Sequence, residues 1–374
     1  METRLVSQRF LRRPVTQPAK GEAGLSKRRR YSPSPRFVLS HFALLSLSSV
    51  IPKVAHESTT TAIDPRFTDR KRQPGLDLLR ALAILIVTIY HAGIMGFPLP
   101  GRAHRFGWIG VDLFFVLSGY LIGGQLLGDG TPSSRDRAAP SLNLRRFFAR
   151  RALRILPAYL VILAIYAFLP SWREYPEMFP LWKFVVSVQN IGLRGGTAFS
   201  HAWSLAVEDQ FYLLLPLILL LVVRRPRAVV VVPCLIVIGG FGLRWLLALQ
   251  NLDDTGAVAP REYQTWIYYA TWGRLDPLVL GVVLAAIEKF RARWWQRLTG
   301  FAPWLGLPAL ALIVYALWLG ETDSITITMS VWQFPLIALG MAALLLCAVS
   351  PRLPFRRIKI PGAAFIASIA YSAY

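Results

Sequence analysis

Cysteine is nearly absent, with two in 374 residues. Cys234 and Cys347 lie in separate apolar runs with no partner at metal-ligand spacing, so neither a disulfide framework nor a metal site is supported. Each reads as a small buried hydrophobe. Acidic residues are scarce as well, 20 against 42 Lys plus Arg, which leaves a formal charge of +22. That excess does not point to nucleic acid. The arginines stand in short clusters between apolar runs, the pattern of loops on the positive side of a membrane. The two halves show no obvious internal repeat. No clear small-residue cleavage site follows the long basic N-terminal segment, so no signal peptide is read there.

Apolar residues make up 54% of the chain, with 12 Trp and 21 Phe, and the mean hydropathy is +0.44. This is too apolar for a soluble protein of the same length, and it predicts an all-α, polytopic helical membrane protein. Residues 1–72 hold 15 Lys and Arg and read as a basic, disordered cytoplasmic extension. The apolar run at 37–51 is short for a span; an interfacial segment, disorder and an over-extended start of the reading frame all remain open for it. Apolar segments then follow at about 76–97, 108–127, 152–169, 203–223, 228–249, 266–287, 303–319 and 331–349, and another begins at 362. The loops on one side of these segments carry 17 Lys plus Arg and those on the other side 6. The N-terminus is therefore expected in the cytoplasm. The apolar stretch 179–191 is placed as an outer re-entrant or interfacial piece, because counting it as a span would put Arg224, Arg225 and Arg227 outside. The stretch 362–374 would be about 18 Å long as a helix, short of a hydrocarbon core of roughly 30 Å. The membrane domain, 73–374, is expected to be incomplete at its C-terminus.

The first apolar segment carries two costly residues, Arg80 and His91. At roughly 100° per residue they fall on one helical face, about 16 Å apart along the axis. Counted from the outer helix ends, His91, Asp112 and Glu208 share a layer roughly 6 to 9 Å deep. Toward the cytoplasm, Arg80, Arg150, Arg151 and Arg154 form a cationic layer. An imidazole level with carboxylates suits a general base, and arginines suit phosphates. An acyl-coenzyme A, with its phosphates in the cytoplasm and its reactive end at mid-membrane, has the shape to join the two layers. Each residue also has a plainer reading. Asp112 and Glu208 would pair structurally with arginines such as Arg244 or Arg274, and Arg274 would pair with Asp276. Arg151 and Arg154 would be ordinary interface anchors, and Ser118 a packing residue rather than a nucleophile. The same polar set would also serve a proton-coupled transporter or a scaffold whose polar residues only pair helices.

Several motifs occur in a fixed order: Arg80 and His91 separated by ten residues; Gly110-Val-Asp-Leu-Phe-Phe-Val-Leu-Ser-Gly-Tyr120; Arg151-Ala-Leu-Arg154 followed by Ile155-Leu-Pro157; Trp203-Ser-Leu-Ala-Val-Glu208-Asp-Gln-Phe-Tyr212; and Arg274-Leu-Asp-Pro-Leu278. In this set, residues 73–374 resemble the acyltransferase 3 family of integral membrane acyltransferases, many of which O-acetylate surface polysaccharides, lipopolysaccharide or small metabolites. The resemblance implies ten transmembrane helices, here about eight complete and a truncated ninth. It further implies an acyl-coenzyme A donor (acetyl-coenzyme A) on the cytoplasmic side, a glycan or lipid-linked sugar acceptor, His91 as the essential base, and donor handling by Arg80, Arg151 and Arg154. Asp112 or Glu208 is expected to support the base. The 72-residue extension departs from the family pattern.

Overall fold

A computed structural model describes residues 73–94, 96–97, 103–128, 144–222, 228–322, 324–356, 358, 360–363 and 365–367. The basic extension 1–72 and residues 368–374 lie outside the described residues. Eight main helices occur among them: α1 (Pro74–Ile94), α2 (Gly110–Leu126), α3 (Leu144–Phe168), α4 (Trp203–Val222), α5 (Ala228–Gln250), α6 (Leu275–Phe290), α7 (Ala292–Trp318) and α8 (Ile327–Val349). All except α6 belong to segments long and apolar enough to cross a membrane. The chain is an all-α, multi-pass membrane protein. Its lipid-facing character shows in exposed side chains such as Leu153, Phe168, Leu221, Trp304 and Leu307, which water would not tolerate as a continuous belt.

Two helices extend beyond the apolar windows. α3 begins at Leu144, so the arginine-rich stretch 145–151 is helical, and α7 begins at Ala292 rather than near 303. Hydropathy marks the length inside hydrocarbon, whereas a helix continues past it wherever its polar side chains reach water. The segment 266–287 departs further from a simple span. It opens with a π-helical turn, Tyr263–Tyr268, passes a short 3-10 turn at Thr271–Gly273, and only then enters α6. At 16 residues, α6 is about 24 Å long. Its Pro277 lies in the first turn, where no intrahelical donor is lost.

α2 and α6 form the most intimate pair, with α8 beside both. A Cβ on Gly119 would strike the Leu278 carbonyl, and one on Gly281 would strike that of Val116. Hydrogen side chains at these two positions therefore let the backbones touch, the device by which small residues associate helices in lipid.

Two ion pairs lock the same region. Arg274 Nη2 donates to Asp112 Oδ2 at 2.9 Å, with both side chains fully enclosed, and Arg244 Nη1 donates to Asp276 Oδ2 at 2.6 Å. The Arg274 guanidinium also lies 3.9 Å from the Phe334 ring centre and between Trp203 and Tyr268. The adjacent Arg274 and Asp276 thus take partners from different helices rather than each other.

The stretch 170–199 has little regular structure beyond a five-residue helical turn, Leu181–Val185, in keeping with a non-spanning piece. Side chains tie it to the bundle. Gln210 on α4 donates to the Ser187 carbonyl and to Asn190 Oδ1, while Asn190 donates to Thr271 Oγ1 at the entrance to α6. Gln189 donates to the Ala202 carbonyl.

Candidate active site

The polar residues collect in two places, a histidine end near the C-terminus of α1 and an arginine end near its N-terminus. At the histidine end, His91 Nδ1 lies 2.8 Å from the backbone oxygen of Val87, one turn earlier in α1. A carbonyl oxygen can only accept, so Nδ1 carries the hydrogen. In the neutral ring, Nε2 then holds the lone pair. The helix itself selects the tautomer of a base, a task that the sequence reading gave to Asp112 or Glu208.

Those two carboxylates are engaged elsewhere. Asp112 is held by Arg274. Glu208 Oε2 accepts from Tyr212 OH at 2.8 Å and from Arg151 Nη2 at 3.4 Å. The Arg151 guanidinium lies 3.2 Å over the centre of the Tyr212 ring, and Tyr212 OH hydrogen-bonds Ser118 Oγ. Ser118 is thus a buried member of a polar chain as well as a packing residue. Depth counting put Glu208 and Arg151 in separate layers, yet they touch. An arginine side chain reaches several ångströms from its own backbone, which spans the gap that counting along axes creates.

The group beside His91 is another histidine. The His91 and His201 rings stand 6.1 Å apart in an edge-on arrangement. His201 Nδ1 is 3.6 Å from Glu174 Oε1, which also accepts the Phe199 N–H at 2.9 Å. Phe199 has a φ of 59°, a conformation costly for a bulky residue. Its ring compensates by stacking on Tyr166 at 4.8 Å and Phe184 at 5.6 Å. The left-handed turn thus fixes His201 in the 3-10 turn Ser200–Ala202 just before α4. Neither His201 nor Glu174 stood out in the sequence. His201 directly precedes the Trp203 motif and Glu174 sits among loop aromatics, so only the fold brings them to His91.

Burial disfavours the charge on Glu174, but hydrogen bonding to His201 and the charge of that imidazole outweigh it and hold the carboxyl below its ordinary value of 4.5. A lowered carboxylate stabilises the fold above its unfolded value and loses that contribution as pH falls through the folded one. Thermal unfolding in detergent is therefore expected to show a stability loss below about pH 4.5 that Glu174→Gln flattens; an unchanged profile in the variant would contradict the pairing.

At the arginine end, Arg80 Nη1 donates to Asp77 Oδ1 at 2.7 Å, one turn away on α1. Its Nε is buried without a hydrogen-bond partner among the described residues. Asp77 was not singled out in the sequence, although an acidic residue in the first turn is favoured by the helix dipole. Arg151 is part-buried against Glu208, whereas Arg150 and Arg154 are exposed. The structure brings Arg151 together with Glu208, keeps Arg80 with Asp77, and joins His91 to His201.

The comparisons with known proteins agree with this picture. The family model described as an acyltransferase domain matches residues 73–374. The O-acetyltransferase OatA of Staphylococcus aureus is 32% identical over 230 residues in strain NCTC 8325 / PS 47, covering 57% of this chain and 34% of that protein. The protein of the same name from strain COL matches to the same extent. The match thus spans about a third of the length of these relatives. No solved structure matches the chain. With the family model covering the whole of the described bundle, the chain belongs to the acyltransferase 3 family of acyltransferase domains.

Proposed function

We propose that the chain is an O-acyltransferase of the plasma membrane, N-terminus in the cytoplasm, which moves an acetyl group from acetyl-coenzyme A to a hydroxyl of an envelope or exported glycan. The observation that carries this reading is the Nδ1–H bond from His91 to Val87. It presents Nε2 as a lone-pair base inside a membrane bundle, at the end opposite Arg80. Nε2 takes the proton of the acceptor hydroxyl as the oxygen attacks the thioester carbonyl. The C–S bond then breaks, and the coenzyme A thiolate takes the proton from the imidazolium. Arg80, Arg151 and Arg154 hold the donor's phosphates from the arginine end. Asp77 and Glu208 already compensate Arg80 and Arg151, so the site needs no bound anion to stay folded. Asp112 acts through Arg274, by fixing the scaffold around the reacting groups.

The test is transfer of labelled acetyl from acetyl-coenzyme A to glycan by the full-length protein in lipid vesicles, with donor affinity measured alongside. Arg80→Ala is expected to weaken donor binding by about 10- to 100-fold, the worth of a charge-assisted hydrogen bond. Absence of both donor binding and acetyl transfer in the wild-type protein would remove the proposal.

A further inference from the structure

The structure assigns a second histidine to the reaction: we infer that His201, oriented by Glu174, contacts the acceptor hydroxyl or the oxyanion formed from the thioester carbonyl, opposite His91. The inference rests on the proposed acyl transfer at His91. Three observations carry it. The two imidazoles stand edge-on at 6.1 Å between ring centres, a separation that leaves both within reach of one reacting oxygen. They arrive from different elements, the last turn of α1 and the 3-10 turn Ser200–Ala202 that leads into α4, so their meeting is a product of the fold rather than of local sequence. His201 is also held from behind. Glu174 approaches Nδ1, which directs the opposite ring nitrogen, Nε2, away from the carboxylate. A carboxylate behind an imidazole fixes its orientation and stabilises its protonated form.

The cost of this arrangement is visible in the backbone. Phe199 adopts its left-handed conformation two residues before His201, and Glu174 accepts its N–H. One carboxylate oxygen thus secures both the turn and the ring that the turn presents. Tyr166 and Phe199 flank that ring at 6.2 and 5.1 Å, which limits the rotamers open to it. Such a placement suits a group that donates a hydrogen bond to oxygen as charge develops there.

In the step itself the acceptor proton passes to His91 Nε2 and the new C–O bond forms. His201 Nε2–H hydrogen-bonds the carbonyl oxygen as it becomes an oxyanion. When the C–S bond breaks, the electron pair leaves with sulfur, His91 returns its proton to the thiolate, and His201 ends the cycle in its starting state. No further reactant is needed.

The experiment compares full-length His201→Ala, His201→Gln and Glu174→Gln with wild type and His91→Ala, in vesicles, for acetyl transfer, donor affinity and amount of folded, inserted protein. His201→Ala is expected to lower kcat by about 10²- to 10³-fold, as loss of an oxyanion donor does. Donor affinity and folded yield stay within about twofold of wild type. His201→Gln, which keeps a neutral donor, recovers at least tenfold of that loss, and Glu174→Gln lowers kcat by about tenfold through mispositioning. Turnover of His201→Ala within threefold of wild type, or losses in both His201 variants that track loss of folded protein, would overturn the inference while leaving His91 in place. Transfer undiminished in His91→Ala would instead remove the reading on which it rests.

Discussion

His91→Ala is expected to lower acetyl transfer by about 10²- to 10⁴-fold, the range of a positioned general base, with little change in folded yield. The second half of that expectation comes from the geometry. The Nδ1–H bond of His91 goes to the carbonyl of its own helix, four residues back, and that carbonyl also serves the helix ladder. Losing that bond therefore strips no buried carboxylate or arginine of its partner. Had His91 been paired with Asp112 or Glu208, truncation would have left a buried charge uncompensated and damaged folding as well as chemistry. His91→Gln is expected to be equally inactive, since an amide can hydrogen-bond but does not accept a proton near neutral pH. Single-turnover acetyl transfer, normalised to folded protein, is the measurement. Activity within tenfold of wild type in either variant would exclude Nε2 as the base.

Asp112→Ala is expected to act in the opposite way, on the fold first. Both members of the Asp112–Arg274 pair are fully enclosed, so truncating the carboxylate leaves a guanidinium with no counter-charge at its place, a loss of about 3–5 kcal/mol. The aromatic rings around Arg274 attract a cation only weakly by comparison. Thermal unfolding in detergent should show a large drop in Tm for Asp112→Ala, and replacement of both partners by apolar residues, Asp112→Leu with Arg274→Met, should recover much of it. A double variant no more stable than Asp112→Ala would mean that the pair is needed as charge, and not merely as balance.

Legibility in the sequence differed between fold and site for a physical reason. Hydropathy reports burial in lipid, which is a property of each segment alone, so the helices were readable together with the non-spanning character of 179–191. It says nothing of helix outside hydrocarbon, which is why the starts of α3 and α7 fell short and why the π-helical turn before α6 was not foreseen. For polar residues the sequence supplied depth without azimuth. Depth counting placed Asp112 and Glu208 near the level of His91; the plainer reading, pairing with an arginine such as Arg274, holds for Asp112, whereas Arg151 as the partner of Glu208 was not legible. His201 and Glu174 were unreadable for a related reason: their meeting depends on a left-handed residue, Phe199, that no pattern of apolar spacing marks.

The crossing of α2 and α6 has a consequence for traffic through the bundle. Where Gly119 meets Leu278 and Gly281 meets Val116, two peptide backbones are in van der Waals contact, and neither a lipid tail nor a file of water fits between them. That seam is a closed wall.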